Sequence, residues 1–274
     1  MNGKSKPAEI SDEEKTLYQQ KIKAYQGKMD AIKIKEKNLL LMVQDYSEEA
    51  PIAHLALADE MLNLTLCYLG IDTASKAFLN ARNEEVLNEG RKAIYKSLVY
   101  METVVTGVVD APFSDYADNL EKIASFDASQ RFNLVERMGK TVTLLKNAYG
   151  DNTKWKWAFV ELDGRYAAAA KNILDLKNVI SNTDPESPYY EHTVLHLQKV
   201  KELLNRAADR YREKYEMASG QVEDFKKGIN FLRSLFRIHA LTGDKNNAAA
   251  IKKKHEIWTT KLENDIKTKK ARNV

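Results

Sequence analysis

His192 and His196 stand four residues apart in the stretch EHTVLH. On a helix that spacing puts both imidazoles on one face, where they could in principle hold a metal ion. A zinc-protease helix carries a glutamate directly after its first histidine. Here that position is Thr193, no cysteine is near, and no third ligand is implied. Packing is the better reading of the pair. His54, His239 and His255 stand singly at or beside apolar stripes, as polar-edged core positions do, and no nucleophile neighbours them in the chain as a triad would require.

The remaining chemistry-bearing residues are read the same way. Cys67 is the single cysteine and lies in an apolar run, so it fits a buried, inert thiol. It can form neither an internal disulfide nor a multi-thiol metal site. Gly139-Lys140-Thr141 has the letters of a phosphate-binding loop but lacks the upstream glycine and sits inside a helical pattern. No GxGxxG follows a strand, and the paired ExxH motif of di-iron bundles is missing. The acidic pairs Glu13-Glu14, Glu48-Glu49 and Glu84-Glu85 fall at helix starts, where the helix dipole favours them. The expectation is a chain with no catalytic residues, no metal ligands and no cofactor.

Basic residues are the other candidates. Lys252-Lys253-Lys254 and the tail 267–272 are the strongest patches, but they are mostly lysine, and a nucleic-acid reader would carry more arginine on a positive recognition face. Residues 1–37 hold nine lysines against six acids, and residues 245–274 hold nine Lys/Arg against three acids. Ends of +3 and +6 leave −5 for the middle of a chain whose net charge is +4. Such a layout suits head-to-tail assembly as well as it suits nucleic acid, and it suits solvated helix faces with a frayed basic tail better still.

These residues are carried by helices. Eleven glycines and five prolines are few for 274 residues, and no strand-like alternation of any length is found. Ser11 begins a helix running to Tyr46, thinly apolar and lysine-rich. Pro51 opens a second helix, apolar nearly all round over 52–69 and ended by Gly70, with Asp72 capping a short one through Asn80. Asn83 starts a helix through Thr106. GVVDAP (107–112) is a break, 113–126 a short polar helical segment, and Asp127 or Ser129 starts a helix through Ala148. Further helices are predicted over 189–218, 221–241 and 245–268.

The stretch Asn152–Ser181 holds two of the three tryptophans and the run Ala167–Ala170. Its apolar residues recur at three- and four-residue steps, which predicts one long helix. Trp155, Trp157 and Tyr166 are its candidate interaction residues, since aromatics are enriched in interface centres, and Lys252, Lys253 and Lys254 join them as charged candidates. The loop Asn182–Pro188 is the clearest break, so the domain reading is a disordered start over 1–10, a helical region over 11–182, and a C-terminal bundle over 189–274. Leu235, Gly243, Asp244 and Ala248 match the turn between the helices of a tetratricopeptide unit, without a regular 34-residue period.

The segments KAIYKSLVYMETVVTGVVDAP (92–112) and WKWAFVELDGRYAAAAKNILDL (155–176) give the chain a resemblance to the flagellar-coiling proteins (FcpA type) of spirochaetes such as Leptospira. The resemblance covers most of the length and rests on general character, so it carries over no functional residues. It implies an all-α, V-shaped array of long helices in two sub-domains. Such a protein would be a non-enzymatic sheath component of the periplasmic flagellar filament that promotes coiling and motility, with filament subunits, sheath proteins and its own copies as partners. Family members are exported. The start MNGKSKPAE has no apolar stretch, which makes cytoplasm the default expectation unless the chain is a processed form. No apolar run approaches the ~20 residues of a membrane span. The other reading is a helical adaptor that binds a protein partner in a groove lined by the helices of 189–241.

Overall fold

The computed structural model describes residues 10–44, 48–151 and 153–272. The predicted disorder over 1–10 falls, for residues 1–9, outside the described residues, as do the predicted helix end at Tyr46 and the cap Asn152. The fold is all-α: among the described residues there are ten α-helices, a 3-10 turn over Phe113–Asp115 and a π-helical turn over Tyr215–Ser219, with no strand. None of these helices is long and apolar enough to cross a membrane.

Side-chain caps set several helix starts where the sequence places them. The Ser11 hydroxyl accepts the Glu14 N–H at 3.2 Å, and the Glu14 carboxylate accepts the Ser11 N–H at 2.8 Å. This reciprocal pair opens α1 (Asp12–Gln44). Asn83 accepts the Val86 N–H and opens α3 (Glu84–Val105). Asp127 and Gln130 exchange two bonds of 2.9 Å and open α5 (Ala128–Tyr149).

α2 (Ala50–Leu79) differs from expectation: it runs unbroken through Gly70. The glycine is there for close packing. A Cβ on it would lie 2.3 Å from the ring of Tyr25, so the α1 tyrosine rests directly on the α2 backbone. Asp72, expected as a cap within this segment, is buried in the helix and accepts the N–H of Asn83 at 2.8 Å. It does serve a helix start, that of α3. α2 ends at Asn80 in the left-handed conformation.

α4 spans Ala117–Lys122. The long helix expected over Asn152–Ser181 is shorter, as α6 (Ala158–Ile173), followed by the turn α7 (Val179–Asn182). Thr153 caps only a turn, its hydroxyl taking the Trp155 N–H, and the helix proper begins after Trp157. At the far end Leu174 is extended, and Asp175 folds back to accept the backbone N–H of Asn178. The exposed carbonyls of the α6 terminus are satisfied by other helices: His196 Nε2 lies 2.9 Å from Ala170 O, and Arg131 donates to Ile173 O at 3.4 Å. α8 (Tyr190–Lys214) continues into the π turn, and α9 (Val222–Leu241) and α10 (Lys245–Arg272) follow. Between α9 and α10 Gly243 is left-handed, and Asp244 accepts the Asn247 N–H at the start of α10.

The chain forms two compact units. One comprises residues 1–97 and 141–151, the other 98–140 and 152–274, so α3 and α5 each contribute to both. The loop 182–188 lies inside the second unit. In the first unit, α2 is the buried axis, with Leu55, Leu57, Met61 and Leu62 fully or almost fully buried, as are Leu87, Ile94 and Leu145 of α3 and α5. α1 lies along α2, and of its 33 residues only Ile32 is buried. In the second unit α6, whose Phe159, Leu162 and Ala167–Ala170 are buried, packs on α8, and α9 packs on both α8 and α10.

Candidate protein-interaction surface

The break GVVDAP is held by a polar cluster of the second unit. Asn172 donates to Thr106 O at 2.8 Å and to Val108 O at 3.2 Å. Ser234 donates to Val109 O, Arg237 to Asp110 O at 2.7 Å, and Lys171 to Ala111 O at 3.4 Å. Arg233 pairs with the Asp110 carboxylate at 3.0 Å. Donors from α6 and α9 therefore supply the backbone partners that hold this loop, of which Val109 is buried. Lys171 is buried beneath the loop, bound to Asn172 Oδ1 at 2.8 Å and placed 5.0 Å over the ring of Tyr116. Burial, with Arg237 nearby, pulls its ammonium down to about 8.

Beside the loop lies a groove of about 310 Å³, lined among others by Val108, Asp110, Glu161, Arg165, Tyr211 and Asn230. Arg165 is fixed by a two-point pair with Glu102, at 2.8 and 2.5 Å. Tyr211 stacks on Phe231 at 5.6 Å and lies so close over Gly164 that a Cβ there would be 2.6 Å from its ring. Val108 stands out at the rim, 55% exposed. The groove thus offers an aromatic wall, an apolar tip and charges of both signs, which suits a peptide or helix edge more than a reacting group.

The sequence candidates separate into surface and interior. Trp155 and Trp157 are half-buried on the turn before α6, and Lys156 sits 4.7 Å over the Trp157 ring. Tyr166 is interior: its hydroxyl donates to Val135 O at 3.0 Å, it rests against Gly139, and burial pushes its ionisation up. Lys252 and Lys253 are exposed, whereas Lys254 turns back to Asp209 at 2.8 Å and lies 4.9 Å over Trp258. The six residues thus do not form one patch. The His192/His196 pair frames Phe132, with each ring centroid 6.1 Å from it. His196 spends Nε2 on Ala170 O, and burial lowers its pKa to about 4. Among the described residues no group of three His, Cys, Asp or Glu is arranged to hold a metal.

A surface the sequence reading passed over lies on α1. Its inward residues, from Tyr18, Ile22, Tyr25 and Met29 through Ile32, Glu36, Leu39 and Val43, alternate steps of four and three, which is a coiled-coil seam against α2. Leu17, Ile34 and Leu41 face outward, 40%, 65% and 54% exposed. The signal was present as a second set of uncharged positions at the same step, hidden by the lysines between.

The profile of the TP0443 family matches residues 14–266. The chain belongs to the TP0443 family. No curated protein and no solved structure matches it. The TP0443 family match extends from the first turn of α1 to near the end of α10, so the α1 surface, the loop cluster and the groove all lie within it.

Proposed function

We propose that the protein is a non-enzymatic structural component of a multi-protein assembly, and that the assembly is the sheath of a spirochaete periplasmic flagellar filament. In this reading each copy touches the filament core and its neighbours laterally. An uneven distribution around the filament then bends it, promoting coiling and motility. The observation that carries the reading is α1: a 33-residue helix with one buried residue and exposed leucine and isoleucine is costly for a chain that works alone. The polar interior agrees with it, since Arg131, Lys171, Asn172 and His196 are spent on backbone carbonyls that hold the fold. The resemblance of segments 92–112 and 155–176 supplies the flagellar part. The deciding experiment is isolation of filaments from the source cells. The protein is expected to co-purify with them, and cells lacking it are expected to yield straighter filaments. Absence from intact filaments would remove the flagellar part.

The groove beside 107–110 favours a second reading, an adaptor that binds a partner peptide between α6, α8 and α9. A charge placed at exposed Val108, as Val108→Asp, then abolishes partner capture while leaving filament binding intact.

A further inference from the structure

The outward face of α1 carries a second strip of uncharged residues. Leu17, Gln20, Ala24, Gly27, Ala31, Ile34, Asn38 and Leu41 follow steps of three and four over the length of the helix, and all eight are exposed. None is charged, although residues 15–37 carry seven lysines and two acids. An uncharged strip at coiled-coil spacing, on a helix whose other seam is already packed, is the pattern of a helix with a partner on each side. Toward α2 the strip runs into a groove of about 410 Å³ lined by Tyr25, Lys28, Ala31, Asn63, Leu66 and Cys67, where Leu66 is 38% exposed. A helix laid on the strip would also cover that groove.

Charge identifies the occupant. The positions flanking the strip are Lys21, Lys28 and Lys35 on one side and Lys23, Asp30 and Lys37 on the other. Asp30 is neutralised by Lys33 at 3.4 Å. Lys35 reaches Glu60, while Lys21, Lys23 and Lys37 draw no ion pair among the described residues. The edges are therefore strongly positive. A second copy of α1 would bring lysine against lysine and be repelled, whereas flanking carboxylates would pair. We propose that the outer face of α1 binds an amphipathic helix of another protein, with an apolar seam of small and branched residues and acidic flanks. The proposal deepens the structural reading above and rests on it, by naming the chemistry of the assembly partner.

The test uses the full chain and two synthetic four-heptad helices with the same leucine and alanine seam, one flanked by glutamate and one by lysine. Binding is read by fluorescence anisotropy at low and high salt, and the mass of the chain by analytical ultracentrifugation. The glutamate helix is expected to bind, at least about tenfold more tightly than the lysine helix, with affinity falling as salt rises. Ile34→Asp weakens it by about tenfold or more, and because Ile34 is exposed the variant keeps the wild-type melting temperature. Lys23→Glu with Lys37→Glu reverses the preference, which separates charge reading from loss of fold. Failure of both helices to bind, equal binding of the two, or self-association of the chain that Ile34→Asp abolishes would each overturn the proposal. Filament capture separates this from the flagellar reading. If filaments retain Ile34→Asp as well as wild type, the seam falls and the flagellar reading stands. If filaments retain neither while the glutamate helix binds, the reverse holds.

Discussion

Lys171 shows how a single side chain ties stability to pH. Its ordinary ionisation lies at 10.5 and burial brings it to about 8. Between those values the unfolded chain holds a proton that the folded chain has released, so stability rises with pH through that window and is lower below it. From pH 7 to 9.5 the wild type is expected to gain about 2 kcal/mol that Lys171→Met does not, in denaturant midpoints taken at both pH values. Stopping at 9.5 keeps the buried tyrosines out of the comparison. Parallel pH slopes for the two proteins would show that the ammonium is not held as described. Tyr166 and Gly139 make a packing prediction of the same grain. A Cβ at Gly139 would sit 2.5 Å from the Tyr166 hydroxyl, and the ring is buried with that hydroxyl fixed on Val135. Gly139→Ala should destabilise by about 1–3 kcal/mol. Tyr166→Phe removes the atom in the way, so the double variant should be less destabilised than the two singles together. Additive losses in thermal melts would argue against the contact.

Among the elements, caps were legible and long-range partners were not. Ser11, Asn83 and Asp127 start helices as their types and spacing say, because an N-cap and its acceptor lie within one turn of each other. Gly70 was misread as a stop because its reason is Tyr25, forty-five positions away in α1. The end of α6 at Ile173 likewise depends on Arg131 and His196, which no local pattern around 174–181 reveals. Of the surface residues chosen from sequence, Trp157, Lys252 and Lys253 are accessible, whereas Tyr166 and Lys254 answer to contacts in α5 and α8. The α1 strip was missed for a different cause: three large apolar residues spread over seven turns do not stand out among seven lysines. Asp72 is the sharpest case, a true helix-start acceptor assigned to the wrong helix. Asp72→Asn keeps an oxygen for the Asn83 N–H and should cost less than Asp72→Ala, which leaves that group unpartnered at about 1–3 kcal/mol. Equal losses in urea midpoints would mean that the Lys76 pair at 2.6 Å, and not the N–H, is what Asp72 supplies.

At the scale of the whole molecule, charge is laid out along the chain and not in a cleft: +3 over residues 1–37, +6 over 245–274, and −5 between. The exposed lysines of α1 and the pair Lys252 and Lys253 on α10 belong to those ends. Some of the surface ion pairs near them, such as Lys15 with Asp12 and Lys261 with Asp265, are short-range pairs within one helix, which contribute little to stability. Their neighbours remain available to attract an acidic partner over distances that ions in solution can screen. Assembly is therefore expected to be sensitive to salt while folding is not. Raising ionic strength from well below to well above physiological should weaken filament capture by about tenfold or more, mostly through slower association. The thermal midpoint of the isolated chain should move little over the same range, since its core rests on α2, α6 and α8 and on hydrogen bonds to backbone carbonyls. A sedimentation assay of filament binding beside a melting series in the same buffers reads both. Capture that is independent of salt would mean that apolar contact alone holds the protein in place, and the basic ends would then be no more than solvated helix faces.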